Sequence, residues 1–296
     1  MLFYREFSKR GYLKILLTIL FIILAYGVGG LYTQYLYESI PLGVHTGDYL
    51  KTFRVYYGNN MTLFATVLPW AVAFLAALVG ARVILNWKIS QLFSVNETIN
   101  FRKIGYAALI WFLINTIVLT FFTNSLVWIF NPEKFFYLLM ISIVFITAQC
   151  IAEEFLFRTF LVKLIGRAVP VGWFIALMTG AVFGLLHATN PEVQALGKLA
   201  MIYYIGAGLV LGLLVIVDNG IELTTGFHIA NNLSAALIVT TDWQVFQTDA
   251  LFKDISEPHV NWQTFIILFA SLALFVYLMH RKFDLKKGLY RLGKNV

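Results

Sequence analysis

The run Phe145-Ile146-Thr147-Ala148-Gln149-Cys150-Ile151-Ala152-Glu153-Glu154-Phe155-Leu156-Phe157-Arg158 decides the class of this chain. It reads as part of an apolar helix long enough to cross a bilayer, yet it holds two carboxylates and a guanidinium. Spanning a membrane needs none of these, and a charge at the bilayer centre costs at least ~2.5–3.5 kcal/mol on insertion scales. The default reading of such a feature is function, with a polar chamber inside a helical membrane protein.

Composition agrees with that class. Of 296 residues, 60% are hydrophobic and only 12% charged, about half the charged share of an ordinary soluble domain. A span needs ~20 apolar residues. By that measure the chain is an all-α, polytopic membrane bundle of about eight transmembrane helices, in one domain over residues 1–296. The predicted helices lie near 14–36, 61–86, 104–130, 135–167, 170–188, 198–217, 221–240 and 262–280. The motif-bearing core covers 135–240. The first apolar run follows Arg5, Lys9, Arg10 and Lys14. It is too long for a signal-peptide core and no cleavage site follows, so it is expected to be a retained span. Trp87, Trp128, Trp173 and Trp262 fall near span ends, as an interfacial belt requires.

The net charge of +7 does not point to nucleic acid, because the basic residues gather at span ends and in the tail. With the N-terminus inside, internal segments hold Arg5 to Lys14, Arg82, Lys88, Arg102, Lys103, Lys163, Arg167 and the basic tail from Arg281 to Lys294. External loops hold only Lys51, Arg54, Lys134, Lys198 and Lys253. Positive charge collects on the cytoplasmic side, so both termini are expected there. The single cysteine, Cys150, excludes an internal disulfide and reads as a small buried apolar residue. No long internal repeat is visible. Gly180-x-x-x-Gly184 and Gly208-x-x-x-Gly212 offer flat faces for close helix packing.

Adjacent helical residues point ~100° apart, whereas i and i+4 share a face. Glu153 and Glu154 are therefore not expected to serve one small site equally. Glu154 and Arg158 are four apart and read as a structural ion pair, which leaves Glu153, without a partner at helical spacing, as the chemically available carboxylate. Two further apolar helices each carry one histidine. Phe183-x-x-x-His187 ends the fifth, and His228-x-x-x-Asn232 places two polar groups on one face of the seventh. A glutamate and a histidine converging on one water make a general-base pair for hydrolysis. A histidine with an asparagine four residues on supplies donors for a developing oxyanion. Alternatively, Glu153, His187 and His228 would hold one divalent metal such as zinc in an open three-ligand site. The residues leave both chemistries open, and H-E-x-x-H is absent.

Glu153-Glu154-x-x-x-Arg158, Phe183-x-x-x-His187 and His228-x-x-x-Asn232 follow one another in the order of a known family's three motifs. The chain resembles the CPBP intramembrane proteases, which include type II CAAX prenyl endopeptidases, bacteriocin-processing and bacteriocin-immunity proteins, and lysostaphin-resistance-like proteins. The resemblance implies Glu153 and His187 as water activators, His228 and Asn232 as oxyanion stabilisers, and Glu154 and Arg158 in support. It implies a membrane-associated, prenylated or lipidated peptide as substrate. The competing readings are a non-proteolytic immunity or chaperone-like membrane protein and a proton-coupled transporter.

Helix arithmetic gives one further expectation. Glu153 and His187 lie ~22 and ~25 Å from the turn near Ala168-Val169-Pro170, hence at one height. His228 is ~12 Å past Gly220 and joins them only if the hairpin of the fourth and fifth helices projects further into the cytoplasm. The site is then expected to open to the cytoplasmic side.

Overall fold

The computed structural model describes residues 9–96, 98–123 and 125–293. Arg5 and Lys294 lie outside the described residues, as do the side chains of Lys9 and Arg10. Eight main helices follow in order: α1 (Lys9–Glu38), α2 (Asn59–Val83), α3 (Phe101–Phe121), α4 (Pro132–Ala168), α5 (Gly172–Leu186), α6 (Ala200–Asp218), α7 (Glu222–Leu237) and α8 (Trp262–Phe283). Six of them are long and apolar enough to cross a membrane; α5 and α7 are shorter, at 15 and 16 residues. The molecule is a polytopic helical membrane bundle. Its outward side chains include Leu13, Leu24, Leu31, Leu109 and Ile266, all exposed. That is the surface a helix shows when its surroundings are acyl chains rather than water.

The third helix differs most from the sequence reading. Residues 104–130 were expected to be helical throughout, but α3 stops at Phe121 and residues 126–128 form a strand, β1. β1 pairs antiparallel with β3 (Phe252–Asp254), and β3 pairs in parallel with β2 (Val239–Thr240), which directly follows α7. Three short strands are marginal alone. Here they lie over a packed apolar cluster that includes Leu237, Val239 and Phe246.

Local contacts sort the helix ends into two groups. At one end, Lys103 pairs with Asp218 at 2.5 Å and its ammonium lies over Phe283. Ser94 bridges Gly220, and Arg291 donates to the Val217 carbonyl at the end of α6. The start of α1, the α4–α5 turn and the tail belong to this basic end, since Gly80 faces Thr18 and Gly172 faces Arg291. At the other end, Asn60 donates to the Lys134 carbonyl, Asn59 to Asp249, and the Val245 amide to Glu192.

The two glycine patterns face each other. A Cβ placed on Gly180 would lie 2.6 Å from the Leu209 nitrogen, and one on Gly212 would lie 2.7 Å from the Ala176 carbonyl. Only glycine allows the backbones of α5 and α6 to approach so closely. Meanwhile α4 is not a regular helix. Two π turns, Ser142–Ile146 and Phe155–Phe160, interrupt it, and Glu153 and Glu154 end the α-helical piece between them. Insertions of this kind occur frequently at functional sites.

Candidate functional site

The site grows from the contact of α4 with α7. Glu154 is fully buried. Its Oε1 accepts a hydrogen bond from His228 Nδ1 at 3.1 Å, and its Oε2 accepts one from the Thr224 hydroxyl at 2.7 Å. Arg158 Nη1 lies 3.6 Å from the same carboxylate, so the expected ion pair exists. The guanidinium, also fully buried, stacks on the Phe183 ring at 3.8 Å. Phe183 thereby ties the first motif to the second, a role its position beside His187 did not announce.

Glu153 approaches the same imidazole from its other side, with Oε2 3.7 Å from His228 Nε2. The adjacent carboxylates meet the His228 ring from its two sides and unequally, Glu154 by a hydrogen bond and Glu153 at the longer distance. One expectation is corrected here. Glu153 has a partner on its own helix, since Gln149, four residues earlier, donates to its Oε1 at 3.1 Å. The signal was present in the opening run, at the spacing used to pair Glu154 with Arg158.

His187 caps α5. Its Nδ1–H donates to the Phe183 carbonyl at 2.8 Å, which fixes the ring and leaves Nε2 as the basic nitrogen. The ring stacks on Tyr204 at 4.5 Å, and the Tyr204 hydroxyl donates to Glu192. Asn232 is placed by its neighbour. Asn231 Oδ1 accepts from Trp111 Nε1 at 3.1 Å and from the Tyr203 hydroxyl at 3.3 Å, and Asn231 Nδ2 donates to Asn232 Oδ1 at 3.2 Å. With its carbonyl oxygen engaged, Asn232 keeps its amide hydrogens to donate. Gln149, Thr224, Asn231, Tyr203 and Tyr204 were not singled out by sequence reasoning. Gln149 and Thr224 stand four residues before Glu153 and His228; nothing marks the tyrosines.

Glu153, His187, His228 and Asn232 line one cavity of about 800 Å³. Its walls are mostly apolar, including Trp70, Phe157 and Leu268, and no Lys or Arg lines it among the described residues. The four predicted residues thus converge as expected. Beyond the helices, the lining comes from Thr123, Asn190, Glu192, Trp243 and Glu257, all at the end opposite the Asp218–Gly220 turn and the tail. The lining loops and the basic tail therefore stand at opposite ends of the bundle. Helix arithmetic brought Glu153 and His187 to one height, but a shared height does not say which end of a chamber is closed. Here the basic end is sealed below the site by apolar packing of Phe155, Phe93 and Ile221.

The alternative metal reading fits poorly. Among the described residues, no three His, Cys, Asp or Glu side chains form a metal-holding group. No step is derived through a metal.

The comparisons with known proteins agree with the motifs. Residues 134–234 match the family model described as Type II CAAX prenyl endopeptidase Rce1-like. Over 233 residues the chain is 28% identical to the Bacillus subtilis (strain 168) protein called Uncharacterized protein YyaK, an alignment covering 75% of each chain. No solved structure matches. The matched segment, from the start of α4 into α7, is similar to the Rce1-like type II CAAX prenyl endopeptidases and carries Glu153, His187, His228 and Asn232 of the cavity wall.

Proposed function

We propose that this chain is an intramembrane endopeptidase that hydrolyses a peptide bond in a membrane-associated, lipidated peptide. The observation that carries the reading is one imidazole, His228, held between two carboxylates while a second, His187, lines the same cavity. The matched family model, that of a type II CAAX prenyl endopeptidase, supports peptide-bond hydrolysis as the reaction class.

The residues divide the work as follows. A water held between Glu153 and His187 loses its proton to this pair and attacks the scissile carbonyl; positioned general bases contribute ~10²–10⁴-fold. His187 can take the proton at Nε2 because Nδ1–H is already committed. As imidazolium, His228 donates from Nδ1 to Glu154 and from Nε2 into the cavity, where the Asn232 amide joins it around the developing oxyanion. Glu154 faces that positive charge and the Arg158 guanidinium together, so the Glu153 carboxylate is needed as well to neutralise the buried group. The proton held by the Glu153–His187 pair then passes to the leaving amine. The apolar walls suit an acyl or prenyl chain.

The test is to incubate purified protein with a palmitoylated, fluorescence-quenched peptide library. Wild type should cleave, and chelator should leave the rate unchanged. Glu153→Gln should lose ~10²–10⁴-fold with an unchanged unfolding temperature. Stoichiometric zinc in the purified protein, or full activity of Glu153→Gln, would overturn this mechanism.

A further inference from the structure

We propose that the cavity opens on the extracytoplasmic face of the membrane, so that its substrates are peptide segments displayed on the outer side. The inference deepens the protease reading and rests on it for the word substrate; the sidedness itself does not.

Three observations carry it. The first is the opening. The lining comes from Thr66 and Trp70 of α2, the second half of α3, Gln149, Glu153 and Phe157 in the middle of α4, the end of α5 and the loop after it, α6 as far as Leu211, α7 from Phe227 onward, residues 239–260 and the first half of α8. None comes from residues 84–105, from the α4–α5 turn, from 212–225 or from the tail.

The second is charge. The closed end gathers Lys14, Arg82, Lys88, Arg102, Lys103, Lys163 and Arg167, together with Arg281, Lys282, Lys286, Lys287 and Arg291 of the tail. The open end holds Lys51, Arg54, Lys134, Lys198 and Lys253. These are short segments near helix ends, where basic residues decide orientation; acidic residues contribute little to that rule. The closed end is therefore the cytoplasmic one. Arg291 on the Val217 carbonyl ties the tail to this end, and Thr18 against Gly80 sets the start of α1 there.

The third concerns what the mouth accepts. Glu192, Asp254 and Glu257 line the cavity, and no Lys or Arg does so among the described residues. Among permanently charged side chains the lining is therefore acidic, and a basic segment of substrate is attracted to it. The substrate class that fits is a neutral or basic stretch of a membrane-anchored peptide, cut on the outer face.

The experiment uses the full chain in intact cells and a membrane-impermeant maleimide. Cys150 is fully buried and gives no background. Glu257→Cys lies at the mouth and Lys286→Cys in the tail, both at exposed positions. Glu257→Cys should label in intact cells and Lys286→Cys only after lysis. The reverse pattern overturns the proposal. If Glu257→Cys fails to accumulate, Asp242→Cys, also exposed on a mouth loop, replaces it. In a second arm, a palmitoylated quenched peptide with an internal lysine is added to right-side-out and to inside-out membrane vesicles. Cleavage should be at least severalfold faster in the right-side-out preparation. Equal or faster cleavage in inside-out vesicles counts against the proposal. Outside labelling of the mouth with no cleavage in either preparation keeps the sidedness and removes the protease reading.

Discussion

Two helix contacts in this bundle are built on opposite principles. α5 meets α6 through glycines, backbone against backbone, with Gly180, Gly184, Gly208 and Gly212 leaving no room for a Cβ. α4 meets α7 through side chains that carry charge: Glu153, Glu154, Arg158, Thr224 and His228. The first contact is dry and stiff, and the second holds the chemistry. The difference teaches how a polar chamber survives in an apolar molecule. The glycine seam fixes the wall that presents His187 and Tyr204, so that the polar contact need not also set the spacing of the bundle.

Breaking the polar contact should have the largest effect. Glu154→Ala leaves Arg158 buried without its carboxylate and releases Thr224 and His228, a loss of about 3–5 kcal/mol by the cost of stranding one member of a buried pair. Chemical denaturation in detergent should show that loss, and peptide cleavage should vanish with it. If Glu154→Ala folds and cleaves like wild type, the contact contributes nothing and the comparison fails. Breaking the glycine seam comes next. Gly180→Ala puts a methyl where Leu209 backbone already lies, an overpacking that costs ~1–3 kcal/mol. Gly27→Ala, whose Cβ would meet nothing within 4 Å, is the matched control and should be neutral in the same unfolding experiment. The smallest effect sharpens the division between holding and reacting. Asn231→Ala removes the donor that orients Asn232 and the acceptor of Trp111 and Tyr203; at ~0.6 kcal/mol per hydrogen bond inside a membrane protein the three together amount to under ~2 kcal/mol. Stability should change by about that amount, whereas kcat should fall severalfold with KM unchanged, measured on the same peptide.

Much of this was legible in the residues because the cost of charge in a bilayer makes each functional group conspicuous. Glu153, Glu154, Arg158, His187 and His228 stand out against apolar surroundings, and their spacing names the helices that carry them. The glycine pairs were legible for the converse reason, since they leave a surface bare at regular intervals. What escaped notice depends on three dimensions. A two-sided imidazole between adjacent glutamates needs the ring to enter from another helix. Tyr203 and Tyr204 look like two aromatics among many until α6 brings them to Asn231 and His187. The strand at 126–128 escaped because its partner lies beyond residue 250, and an apolar run too short to span gives no local sign of pairing. Which loops line the cavity escaped for a related reason: it depends on where loops leave space, and loops carry no periodicity.

Regularity and function are opposed along α4. Each π turn carries the helix past the point where α-helical hydrogen bonding would have closed, and each sits on one side of the glutamates. Deleting one residue from either turn would restore an unbroken α-helix. It would also turn the residues beyond it by ~100° relative to those before. A deletion in Ser142–Ile146 would swing Glu153 and Glu154 away from His228; one in Phe155–Phe160 would carry Arg158 off Glu154. The chain thus keeps a poorer helix in its longest span, and no single deletion there improves the helix while leaving both carboxylates, the arginine and the imidazole in place.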